Sequence, residues 1–278
     1  MLASLGVVGI GSGNLFAQAT EKAVQTDTAG MEEYVKKGLI NAKWGSGQGE
    51  LGLDEHADMG PKGPSCFTVA PNGDIYIGDR YNNRVVRYNK NGSYIGELHL
   101  ARGKNEIAVD EDRFIYWVDG GSISKYDWKG NLYIEYQIPE GIWGKVVIEG
   151  EKLLIFRAGD NKLWQLGTTN KAFSKELQIK SERTLEFPFT APPASKHGLF
   201  LGNDGNGNVY IEIFPGNESA WVYKYSIKGR TLARVMISPE PSYSSTGMYD
   251  VRVDKEGSIY YLFSTKQSFQ ILKFIKVK

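Results

Sequence analysis

One pattern recurs five times along this chain and limits what it can fold into. Its clearest copy is residues 71–96, PNGDIYIGDRYNNRVVRYNKNGSYIG: a turn, an apolar strand, a polar loop, a second strand and a second turn. Repetition at a fixed spacing decides architecture before any single residue does. The first turn and strand read PNGDIYIGD (71–79), DEDRFIYWVD (110–119), EGEKLLIFR (149–157), DGNGNVYIE (204–212) and KEGSIYYLF (255–263). Tyr76, Tyr116, Leu154, Tyr210 and Tyr260 share one slot. The strand that follows reads RVVRY (84–88), ISKY (123–126), KLWQL (162–166), VYKY (222–225) and ILKF (271–274). In four copies a cation precedes the closing aromatic: Arg87, Lys125, Lys224 and Lys273. Glycine, Asn and Asp at the turns supply the positive φ angles of tight hairpins.

Each copy also has an apolar strand before its first turn: CFTVA (66–70), EIAVD (106–110), KVVIE (145–149), GLFLG (198–202) and DVRVD (250–254). Four short antiparallel strands every 40 to 50 residues or so define a β-propeller blade. Such a blade buries both faces only by stacking on neighbours around an axis. The fold class is therefore all-β, a propeller of four-stranded antiparallel blades. The last copy runs out of chain after ILKF, while GLINAKWG (38–45) reads as an outer strand without a blade. The ring is expected to close by pairing that N-terminal strand with the C-terminal blade. Residues 29–37, AGMEEYVKK, read as a short helix before it. The domain reading is a signal peptide over 1–19, an extension over 20–37 and one propeller over 38–278.

The first unit resembles an NHL repeat. Gly63-Pro64, Asn72-Gly73, Tyr76, Asp79, Asn83-Arg84 and Asn91-Gly92 match that family's entry, turn, strand end, N-x-R pair and second turn, with WGSGQGELG (44–52) upstream. The match is specific in the first unit, moderate in the second and weak in the rest. The family usually has six blades, whereas five repeats are countable here, so five or six stays open.

The apolar run LASLGVVGIG (2–11) and the small-residue site Ala17-Gln18-Ala19 point to export. The expected location is secreted, periplasmic or cell-surface, with no transmembrane segment, since about ten apolar residues do not span a bilayer. Lys and Arg number 33 against 32 Asp and Glu, a net charge of +1 that supplies no concentrated basic face for nucleic acid. The single cysteine, Cys66, sits on an apolar strand and reads as core.

In a propeller, the loops from outer to next inner strand and from second to third strand gather at one end of the channel. The first class holds all three histidines, His56, His99 and His197, together with Trp143 and Tyr243; the second holds Arg80 and Arg157. These seven residues are the candidate binding surface. A divalent metal would draw on His56, His99 and His197, with Asp54, Glu55 or Asp58 adding oxygen. The resemblance implies metal-linked histidines in the related enzymes that cut peptidylglycine or streptogramin substrates, but the paired H-x-H of such a lyase is missing. NDGNGN (203–208) has calcium-loop spacing but occupies a first-turn slot, so it reads as a hairpin. Two functions follow. The first is an exported, non-catalytic propeller, needing no cofactor, that contacts a protein or glycan. The second is a metal-dependent lyase or hydrolase at the channel mouth.

Overall fold

The computed structural model describes residues 21–22, 30–56, 60–64, 66–100, 106–119, 121–140, 144–149, 152–157, 162–168, 181–184, 198–213, 220–238 and 251–277. Strands β1 (Glu21–Lys22) and β2 (Tyr34–Lys43) come first. Blade one is β3 (Cys66–Val69), β4 (Ile75–Asp79), β5 (Arg84–Tyr88) and β6 (Tyr94–His99). Blade two is β7 (Glu106–Val109), β8 (Ile115–Asp119), β9 (Ser122–Tyr126) and β10 (Leu132–Gln137). Blade three is β11 (Lys145–Glu149), β12 (Lys152–Arg157), β13 (Lys162–Thr168) and β14 (Ser181–Thr184). Blade four is β15 (Gly198–Asn203), β16 (Val209–Ile213), β17 (Ala220–Tyr225) and β18 (Thr231–Ser238). Blade five has β19 (Val251–Val253), β20 (Ile259–Ser264) and β21 (Ser268–Lys276). The molecule is a five-bladed all-β propeller, which settles the blade count; β14 is the outer strand of blade three.

Blade five takes its fourth strand from the other end of the chain. Its sheet order is β1-β2-β21-β20-β19, and β2 runs antiparallel to β21 from Tyr34↔Lys276 to Lys43↔Ser268 with a bulge after Gly38. This strand is longer at its start than the sequence suggested. Tyr34–Lys37, read as the end of a helix, are extended. The helix reading rested on Glu and Lys propensity, a weak preference that tertiary pairing overrides. Here the free edge of β21 supplies backbone partners, and Tyr34 and Ile40 become buried by joining it.

The four first turns among the described residues share one device. Their last position has positive φ, at Gly73 (87°), Gly207 (75°) and Gly257 (80°), and also at Arg113 (66°) in blade two. Asp110, Asp204 and Asp254 open three of these turns. Each accepts a backbone N–H across the turn (Phe114, Asn208 and Ser258) and a tyrosine hydroxyl from the following strand (Tyr116, Tyr210 and Tyr260) at 2.7–3.0 Å. NDGNGN is thus a hairpin turn closed by Asp204.

Hydrophobic clusters fill the seams between blades. Cys66, Val85, Ile107 and Trp117 join blades one and two. Tyr116, Val146 and Ile155 join two and three. Phe156, Phe200, Val251 and Phe274 join three, four and five. Ile40, Leu51, Phe67, Ile77, Leu262 and Ile271 join five and one. Because Tyr34, Ile40 and Ala42 of β2 belong to these clusters, a chain starting at residue 46 should lose core as well as strand pairing. Its melting temperature should fall by on the order of 10 °C or more relative to a chain starting at residue 30. Equal melting of the two truncated chains would show that β2 contributes nothing to the ring.

Candidate functional site

The connector between β2 and blade one packs into the seam between first and last blades, held by one side chain. Arg84 is buried at the start of β5, and its guanidinium is fully engaged. Nε meets Asp79 Oδ2 at 3.1 Å and Nη1 meets Glu97 Oε2 at 2.8 Å. The remaining N–H groups donate to the carbonyls of Ser46 (3.0 Å), Gly47 (3.1 Å) and Glu50 (2.8 Å). Asp79, fully buried, accepts from the Gly52 amide at 3.0 Å and from the Asn82 side chain at 2.8 Å. Asn82 also donates to the Gly45 carbonyl, and Tyr88 to that of Gly49. Gly52 is needed for closeness: a Cβ there would lie 2.7 Å from Tyr81 Cβ and 2.8 Å from Asp79 Oδ1. Asn83 turns the chain into β5 with φ of 50°, a region Asn tolerates better than most residues. The residues that carry the NHL resemblance, WGSGQGELG, Asp79 and Asn83-Arg84, therefore meet in space.

The clamped connector forms one wall of an open groove of about 820 Å³ at this end of the ring. Its lining includes Trp44, Glu55, Tyr81, Asn82, Lys266 and Gln267. The Trp44 indole N–H donates to the Thr265 carbonyl at 3.0 Å, and its ring packs edge-on against Phe269 at 6.1 Å. Arg80 donates to the Tyr81 hydroxyl and lies over the Tyr81 ring, 4.7 Å from its centroid. Two predicted binding residues, Arg80 and His56, are at this end, His56 exposed with its backbone N–H on Asp54 Oδ1. His99 ends β6 and its Nε2 lies 3.3 Å from Glu97 Oε1, the carboxylate that also holds Arg84. Trp143, His197, Tyr243 and Asp58 lie outside the described residues, as does the side chain of Arg157 at the end of β12. Among the described residues, no three His, Cys, Asp or Glu side chains come together as a metal site.

The cations that recur before the closing aromatics serve the blades. Lys125, Lys224 and Lys273 lie over the rings of Tyr116 (5.2 Å), Tyr210 (5.4 Å) and Tyr260 (4.7 Å). Lys224 also pairs with Asp204 at 3.2 Å and Glu32 at 2.8 Å. Burial opposes ionisation of Asp204, but the hydrogen bonds from Asn208 hold its carboxyl below the ordinary range. At Asp110 burial prevails and pushes the carboxyl up.

Three charges in the channel went unnoticed in the sequence. Arg252 of β19 reaches Glu106 of β7 at 2.6 Å, joining blades that are not neighbours. Lys145 of β11 donates to the Leu201 carbonyl of β15 at 3.0 Å. Burial brings Lys145 down to about 7 and raises Glu106. The signal was present as a charge within each of the apolar inner strands EIAVD, KVVIE and DVRVD.

These features define a β-propeller whose blade-one signature residues clamp the connector from β2. Residues 62–88 match the NHL repeat family, so the propeller carries an NHL repeat in its first blade. The fold is similar to that of a streptogramin B lyase, at 15% identity over 95% of this chain and 96% of that one, with a TM-score of 0.45. Myxococcus xanthus glutaminyl cyclase shares 9% identity over 77% and 91%, with a TM-score of 0.48. Kuenenia stuttgartiensis hydrazine synthase shares 16% over 77% of this chain, with a TM-score of 0.38, and the chain spans 63% of its length. Likeness at this level concerns the fold alone. No curated protein matches the chain by sequence.

Removing Arg84 would leave Asp79 charged and buried. Arg84→Met should cost about 3–5 kcal/mol in denaturant unfolding, and Asp79→Asn in the same chain should recover part of that cost. A change under about 0.5 kcal/mol, typical of a surface position, would mean the clamp is not a stabilising element.

Proposed function

We propose that the protein is an exported, non-catalytic binding propeller that contacts a protein or glycan through the end of the ring bearing the clamped connector. The observation that carries this reading is the groove itself. It is wide and open, its walls are fixed by hydrogen bonds, and it pairs aromatic surface (Trp44, Tyr81) with amides and charges (Asn82, Gln267, Lys266, Glu55). Flat rings beside amide donors and acceptors suit the apolar faces and hydroxyls of sugars, and equally a polar protein loop. Loops held on a rigid scaffold are where binding commonly resides. Export follows from the apolar run at 2–11 and the small residues at 17–19, which we assign to a signal peptide. Arg80 and His56 complete the surface; His99 and Asp54 are structural neighbours of the connector in this reading.

A glycan array and a cross-linking screen against extracellular proteins, each run with the wild type and with Tyr81→Ser/Gln267→Ala, test the proposal. The expected result is a saturable partner lost in the double variant while its thermal unfolding stays cooperative; Gln267 is exposed and Tyr81 half-buried. A partner retained at full affinity by the variant would move the binding surface elsewhere. Metal-dependent turnover of a lactone or glycoside panel by the wild type would replace the reading with the enzymatic one.

A further inference from the structure

At the opposite end of the ring the inner strands of all five blades surround a second cavity, of about 310 Å³. That is at the lower end of the size range in which small molecules are held, roughly 300–1,000 Å³. It opens between the first turns, and Val69, Val109, Val146, Ile148 and Leu201 form apolar stretches of a wall that also carries charged groups.

Charge is graded along its length. The cations that line it are Lys145 and Arg252 inside and Lys255 at the rim. Lys145 pairs with Phe156, at the end of β11 remote from the turns, and Arg252 pairs with Tyr260, just inside them. Both are buried, at 3% and 5% exposure. Glu106 binds Arg252 and also acts on Lys145, Glu212 acts on Lys145 from β16, and neither acid lines the cavity. Among the described residues the Lys145 ammonium has one acceptor, the Leu201 carbonyl, which leaves donors for a guest. The rim has the reverse sign. Glu111, Asp204, Asp254 and Glu256 line it with Lys255; Lys255 bonds Glu111 at 2.7 Å, Lys224 pairs with Asp204 at 3.2 Å and Lys273 lies 3.8 Å from Asp254, so Glu256 is the acid set to face a guest's ammonium. A single charge of either sign would be well placed at one end of the cavity and badly placed at the other.

We propose that this cavity binds a small zwitterion with an apolar side chain, an amino acid of the leucine type. Its carboxylate meets Lys145 and Arg252, its side chain lies on the valine and leucine walls, and its ammonium faces the acidic rim. The site is at the other end of the ring from the groove and does not depend on the groove's role.

Titration calorimetry with three probes of one skeleton tests the idea on the full chain: L-leucine, 4-methylpentanoate with the anion alone, and isoamylamine with the cation alone. Leucine should bind saturably, and each single-charge analogue should bind roughly tenfold more weakly or worse, because a charged hydrogen bond is lost. Lys145→Met should abolish leucine binding. Glu256→Gln changes an exposed residue that folding does not need, and should weaken leucine while leaving 4-methylpentanoate unchanged. Absence of saturable leucine binding by the wild type overturns the proposal, as does an analogue that equals leucine. Should Lys145→Met not fold, Glu256→Gln decides: unchanged leucine affinity there overturns it.

Discussion

The Arg84 guanidinium is the point on which the seam between the first and last blades depends. A propeller must bring its two chain ends together, and the connector that enters blade one here has no sheet of its own. Its carbonyls at Ser46 and Glu50 would lack a protein donor without Arg84, which also adds a second donor to the Gly47 carbonyl already bonded by the Glu50 amide. Arg84 supplies several donors from a planar, permanently charged group, a geometry no lysine reproduces. Asp79 balances the charge and captures the Gly52 amide, which leaves Leu51 fully buried in the cluster that joins blades five and one. Two carboxylates, three carbonyls and one cation thus convert a glycine-rich loop into packed structure.

Elsewhere the blades use a lighter version of the same principle. An aspartate closes the first turn, takes the tyrosine hydroxyl, and a lysine from the third strand covers the ring. Blade one has Ala70 in place of that aspartate, and blade three has Leu154 in place of the tyrosine. Each blade keeps the backbone meander and varies the polar closure. Sequence similarity between blades is therefore low where structural similarity is high.

This division explains what could be read in advance. Period, turn chemistry and apolar alternation are local, so the strands RVVRY and KLWQL, the tyrosine slot and the hairpin nature of NDGNGN were legible. The strand at Tyr34–Lys37 was not, because its pairing with Lys273–Lys276 joins residues far apart in the chain and outweighs a helical composition. For the sites, topology placed Arg80 and His56 at the end that carries the groove, but Trp44, Tyr81 and Gln267 converge there only through the seam. Glu106, Lys145 and Arg252 were missed for the opposite reason. A charge within an apolar strand was visible in each case, yet nothing local says that three such strands face one channel.

The account makes the connector a rigid wall that precedes any ligand. Native-state amide hydrogen exchange on the wild-type protein tests this most directly, through the amides of Gly45, Leu51 and Gly52. The account predicts protection comparable to the β5 amides, since Gly45 donates to Leu51, Leu51 to Lys43 and Gly52 to buried Asp79. Exchange at the rate of an open loop, while β5 remains protected, would contradict it.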